Sequence, residues 1–135
     1  SASKFALEAL TDALRMELQP WGIQVSIIEP GAIATPLWEK SAKAAGDLEA
    51  SASEEAKALY GEAVIRIREA IAQAAQRAIP TDAVVRAVHH ALTASRPHTR
   101  YLVGADAKLR AWMVKWLPDR IQDKLLTWAL KYPRA

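Results

Sequence analysis

The chain has 135 residues, about half of them apolar and 24% charged, which is globular composition with room for a modest core. It contains no cysteine, so a disulfide framework, a thiolate nucleophile and Cys-ligated zinc are excluded. A balance of 18 basic against 15 acidic residues, +3, gives no argument for a nucleic-acid partner.

In chain order, residues 1–19 read as an amphipathic helix. Phe5, Ala6, Ala9, Leu10, Ala13 and Leu14 make an apolar stripe, and Lys4, Glu8, Asp12, Arg15 and Gln19 line another face. Pro20 stops the helix and Gly22 offers a left-handed exit. Residues 23–28 alternate Ile23, Val25 and Ile27 with Gln24 and Ser26 and predict a strand, ended by Pro30-Gly31. From Leu37 to Ile79 the chain turns Ala- and Glu-rich. Gly46 and the Ser51–Ser53 stretch predict a break between two helices, the second with a stripe of Leu59, Ala63, Val64, Ile67, Ile71 and Ala74. After Pro80, Thr81 or Asp82 caps a helix to about Ala94, with Val84, Val85, Val88, Ala91 and Leu92 facing inward. A second strand follows at about 99–103, closed by Gly104. Asp106 then caps a helix to about Leu117, Pro118 breaks it, and Asp119 caps a last helix to about Lys131.

Two strands cannot form a self-sufficient sheet for so many helices. The expectation is the C-terminal portion of an α/β, Rossmann-type, doubly wound parallel sheet with a mostly helical substrate-binding and C-terminal region. It divides into a helix, strand and loop over 1–36, covering helices over 37–80, a helix and last strand over 81–104, and terminal helices over 105–135. No apolar run reaches bilayer-spanning length and no signal-peptide pattern is read, so a cytoplasmic protein is expected.

Several residues carry candidate chemistry. Lys4 sits in a first helical turn, where carboxylates are the favoured charge. It reads either as a solvated lysine paired with Glu8 at i+4 or as a working cation. Pro30-Gly31 is either an ordinary strand-ending turn or a place where backbone approaches a flat ring closely. Such a loop falls outside the carboxyl end of a strand, where open α/β sheets bind ligands. His89 and His90 are adjacent and point to different helix faces, so metal ligation is not expected; His98 lies in a turn. Residues 106–135 hold seven Lys/Arg against three Asp, together with Trp112, Trp116, Trp128 and Tyr132. The segment 106–132 reads as a tail packed on the domain or a partner subunit, or as a peripheral contact with an anionic membrane surface.

"SASKFALEALTDALRMELQPWGIQVSIIEPGAIATPLW" resembles the second half of a short-chain dehydrogenase/reductase. Ser3-Lys4 matches the lysine end of that family's Y-x-x-x-K helix, and Pro30 to Thr35 matches its P-G-x-x-x-T loop at the matching distance. "ALYGE", "HHALTASRPHTRYLVGADAKL" and "LPDRIQDKLLTW" resemble the branch that holds retinol dehydrogenases and 17β- and 3α-hydroxysteroid dehydrogenases. The resemblance implies an oxidoreductase using NAD or NADP to interconvert an alcohol and its carbonyl on a lipophilic substrate. It places the acid/base tyrosine immediately before Ser1. Lys4 would lower the phenol's pKa and bind the nicotinamide ribose. Pro30, Gly31, backbone at Ile33 and the Thr35 hydroxyl would hold the nicotinamide, and Leu37 and Trp38 would wall the substrate pocket. It also implies a homo-oligomer formed through the lysine helix, and an inactive 135-residue chain when isolated. The competing reading is a non-enzymatic helical module that binds a membrane surface or partner protein.

Overall fold

A computed structural model describes residues 2–129 of the chain. The elements run α1 (Ala2–Leu18), a 3-10 turn (Gln19–Trp21), β1 (Ile27–Pro30), α2 (Leu37–Ala50), α3 (Glu54–Gln76), α4 (Asp82–Thr93), β2 (Arg100–Val103), α5 (Ala105–Trp116) and α6 (Asp119–Ala129). Contacts group them into two compact units, residues 1–31 with 81–108, and residues 32–80 with 109 onward.

The first unit is built on a parallel pair. β1 and β2 are in register from Ile27 opposite Arg100 to Pro30 opposite Val103. Ile27 and Val103 are its buried apolar residues. Backbone bonds extend the pair at both ends: Ile27 N–H donates to Thr99 O and Gly31 N–H to Val103 O, each at 2.9 Å. Ser26 Oγ adds a bond to His98 O at 2.8 Å. The first strand therefore starts four residues later than the sequence predicts. Ile23 to Ser26 have strand-like alternation, but β2 begins only at Arg100, so no described residue lies opposite them in the ladder. Pro30 occupies the last ladder position, where a missing N–H is tolerated.

α4 packs on both strands. Its half-buried stripe is Ala83, Val84, Ala87 and Ala91, so Val84 and Ala91 face inward as expected. Val85, Val88 and Leu92 do not; Leu92 is 81% exposed. Two strands offer a helix only a narrow strip of cover, and the small residues take it.

α1 turns its polar face to the strands and its apolar stripe outward. Phe5 and Leu10 of the apolar stripe are exposed, and the buried residue is Thr11, whose hydroxyl bonds back to Leu7 O at 2.7 Å. Glu8, Asp12 and Arg15 on the polar face are the half-buried ones. Ion pairs account for this. Arg100 of β2 donates to Asp12 Oδ2 and Glu29 Oε1 at 2.8 Å and reaches Glu8 Oε2 at 3.4 Å, while Arg15 holds Asp12 Oδ1 at 2.8 Å. The exit from α1 is as expected: Pro20 lies in the 3-10 turn and Gly22 is left-handed at φ 70°.

In the second unit α2 and α3 pack together and Arg68 pairs with Glu49. The break between them falls at residues 51–53, with the Ser53 hydroxyl capping the N–H of Ala56 at 3.2 Å. Gly46 is no break. It lies inside α2, where its missing side chain faces the Arg68 guanidinium. The α3 stripe is half-buried at Ala63, Val64 and Ala74 and exposed at Leu59, Ile67 and Ile71. Thr81 stands at the start of α4 without a side-chain cap, and Asp106 lies within the first turn of α5. Asp119 opens α6, which is described to Ala129; the expected end at Lys131, and Tyr132, fall outside the described residues.

The Asp12 carboxyl is held below its ordinary value, first by the Arg15 hydrogen bond and then by that of Arg100. A depressed carboxylate stabilises the native state above its unfolded pKa of about 3.9, and loses that contribution as pH falls through the native value. Arg100→Gln is therefore expected to lower stability near neutrality, and its deficit should narrow below about pH 4. Urea midpoints of parent and variant across that range check it.

Candidate functional site

Lys4 lies in the first turn of α1 and is exposed. The simple structural reading of Lys4 pairs it with Glu8. That pair does not form: Glu8 is turned to Arg100, and Lys4 has no ion pair among the described residues. The first unit also contains the start of the Pro30 loop. Gly31 hangs from β2 through its N–H, and a Cβ there would collide with the Asp106 carboxylate. The Asp106 carboxylate is the free end of a short side chain, so a residue with a Cβ here would have to displace it.

The rest of the loop belongs to the second unit and is held there by two clasps. One is a parallel bridge between Ile33 and Ile79, in which Ala34 N–H donates to Ile79 O and Ile79 N–H to Ala32 O, both at 2.9 Å. The other is Trp38, whose indole Nε1–H donates to Ile33 O at 2.7 Å. The bridge leaves Ile33's own amide directed away from Ile79. Its carbonyl is taken by Trp38, and its N–H makes no hydrogen bond among the described residues. Thr35 O receives Trp38 N–H at 3.4 Å as α2 begins, while the Thr35 hydroxyl is uncommitted among the described residues. The loop therefore presents one backbone donor and one hydroxyl that can accept, which are the partners a carboxamide's C=O and NH2 can use. Leu37 is exposed and Trp38 half-buried.

The structure brings Ile33 and Trp38 together and sets Pro30 and Gly31 against Val103 and Asp106. Sequence reasoning does not find the Trp38 bond; an indole three residues after the Pro30–Thr35 loop is the available signal. Tyr101 is a second omission. Its hydroxyl meets His90 Nδ1 at 2.7 Å and His98 N–H at 3.0 Å, and the two imidazoles stack at 5.4 Å. This cluster fastens α4 and the turn before β2 to the strand. Among the described residues no group of three or more His, Asp or Glu could hold a metal ion, and no helix is long and apolar enough to cross a membrane.

Residues 1–46 match the family model described as short chain dehydrogenase. The chain is 39% identical over 139 residues to "Retinol dehydrogenase 5" of Mus musculus, an alignment covering 97% of this chain and 43% of that protein. It is 34% identical to "NADPH-dependent 3-dehydrocapnine reductase" of Ornithobacterium rhinotracheale, over 97% of this chain and 44% of that one. With "17-beta-hydroxysteroid dehydrogenase type 6" of Bos taurus the figures are 31%, 94% and 41%. The chain spans less than half the length of these relatives. No solved structure matches it. The chain belongs to the short-chain dehydrogenase/reductase family, and its parallel pair with flanking helices is part of a Rossmann-type α/β fold.

Removing the indole donor should loosen the loop clasp. Trp38→Phe leaves Ile33 O without its partner, a loss of about 1 kcal/mol. Amide exchange at Ala34 is expected to speed up about fivefold, with helices α2 and α3 unchanged, as hydrogen-exchange mass spectrometry can read.

Proposed function

We propose that the chain is part of an NAD- or NADP-dependent oxidoreductase that interconverts an alcohol and its carbonyl, on a lipophilic substrate of the retinoid or steroid kind. The observation that carries this reading is the Pro30–Thr35 loop, which leaves β1 with the Ile33 N–H and the Thr35 hydroxyl uncommitted among the described residues. The substrate class rests on the printed names of the retinol and hydroxysteroid dehydrogenases that this chain resembles.

In this reading the nicotinamide cofactor supplies or accepts the hydride. The loop binds its carboxamide: Ile33 N–H donates to the amide oxygen, the Thr35 hydroxyl meets the amide nitrogen, and Gly31 keeps side-chain bulk away from the ring. Lys4 holds the ribose hydroxyls. Its charge also favours the ionised form of a tyrosine one turn earlier on the same helix, which exchanges the proton with substrate oxygen. Leu37 and Trp38 would wall the substrate pocket. Ala2–Leu18 leaves an apolar stripe open to a second copy, as a homo-oligomer of the family type requires.

The test uses the complete polypeptide that carries these residues. Lys4→Met is expected to lower kcat/KM for alcohol oxidation by at least about a hundredfold, the usual scale of an acid/base contribution. Thr35→Ala should act mainly through the cofactor KM. The isolated 135 residues are expected to show no turnover; oxidation of any alcohol by them alone would overturn the assignment of a tyrosine outside this chain.

A second reading concerns α5 and α6. Leu109, Trp112, Trp116, Ile121, Leu125 and Trp128 are all exposed, and Trp128 is 77% so. Lys108, Arg110, Lys115, Arg120 and Lys124 lie among them, with the Lys115 ammonium over the Trp116 ring. Such a mixture suits the interface of an anionic bilayer. Co-sedimentation with phosphatidylserine vesicles is expected, and it should be lost when Trp112, Trp116 and Trp128 are replaced by Ser. Equal sedimentation of that variant would remove this reading and leave the helices to pack on protein.

A further inference from the structure

Glu8 is engaged by Arg100 and not by Lys4. Glu8 is one turn after Lys4 on α1, the i,i+4 spacing at which carboxylate and ammonium pair on an exposed helix face. Nothing on α1 itself prevents that pair. What prevents it comes from another strand: Arg100 reaches Glu8 at 3.4 Å while its shorter bonds go to Glu29 and Asp12. The charged groups around this guanidinium are Glu8, Asp12 and Arg15 on α1 and Glu29 on β1. α4, which packs on the same strands, adds no ion pair to the cluster among the described residues. Arg100 is thus one cation facing three carboxylates, and its third, longest contact falls on the carboxylate that Lys4 would otherwise attract.

We infer that Arg100 is a positioning residue for Lys4: by keeping Glu8 engaged from β2, it leaves the Lys4 ammonium uncompensated for the chemistry proposed above, on which this inference rests. The geometry makes a specific demand. If Arg100 lost its charge, Glu8 would be free to swing onto Lys4, and one neighbouring carboxylate would offset the positive charge that favours a phenolate. The phenol would then ionise at higher pH, because a nearby opposite charge on its partner weakens the attraction that lowers its pKa. Removing Glu8 as well would restore the Lys4 charge, although the ion-pair cluster would be still further depleted. A purely structural role for Arg100 predicts the reverse, since a second lost contact can only weaken the fold.

Two readouts on the complete polypeptide separate these outcomes. The first does not need activity: the rate at which Lys4 is acetylated by an N-hydroxysuccinimide ester, read by peptide mass spectrometry against Lys108. Arg100→Gln is expected to slow Lys4 labelling about twofold, the scale of an i,i+4 pair, and Arg100→Gln/Glu8→Gln to return it to the parent rate. Glu8→Gln alone should leave it unchanged, because Glu8 is already engaged elsewhere. Unchanged labelling in Arg100→Gln, or no recovery in the double variant, overturns the inference. If Arg100→Gln does not fold, a rise in Lys4 labelling in Glu8→Gln overturns it just as well, and constant labelling supports it. The second readout is the pH profile of alcohol oxidation. Its acid limb should move up by about one unit in Arg100→Gln and back in the double variant. A parent polypeptide that turns over no alcohol would sink the oxidoreductase reading, and the labelling rates would still decide this one.

Discussion

One guanidinium organises the first unit. Arg100 stands at the first ladder position of β2, opposite Ile27, and reaches carboxylates on α1 and β1. Its side chain is 36% exposed, so each bond by itself is a near-surface ion pair worth little. Together they fix geometry. A single planar donor that satisfies Asp12 and Glu29 at once sets both the rotation of α1 and its height along the strands. With that rotation fixed, Thr11 is buried, the Phe5 and Leu10 stripe faces outward, and Lys4 is presented from the first turn.

The same constraint explains why the sequence was legible in part. Helix limits were clear where the punctuation was chemical: Pro20 and Gly22 after α1, Ser53 at the cap of α3, Pro80 before α4, and Pro118 before α6. The strands were legible as existing but not in extent, because Ile23 and Val25 alternate as well as Ile27 does and only the partner strand decides which residues pair. The face of α1 that meets the strands was not legible, for a different reason. Hydrophobic periodicity reports which side of a helix prefers to leave water, and here the side that meets the strands is chosen by charge.

The candidate loop shows a similar division. Lys4, Pro30, Gly31 and Thr35 are named by a pattern of residues, but the reason the Ile33 amide is available lies in backbone direction, which no side chain encodes. A bridge to Ile79, 46 positions later, decides where that N–H points. Trp38 then takes the carbonyl of the same residue, so that the donor and acceptor of one residue are sorted by two separate contacts.

These contacts also differ in when they can form. The Trp38 bond closes over five residues and can be made as soon as α2 emerges from the ribosome. The Arg100 bonds close over 71 residues to Glu29 and 88 to Asp12. During synthesis α1 and β1 are therefore complete, with Glu8, Asp12 and Glu29 still lacking their shared cation, long before β2 is translated. The parallel pair is a late event that waits on one arginine, and the nascent chain must keep its first helix and strand soluble until that residue arrives.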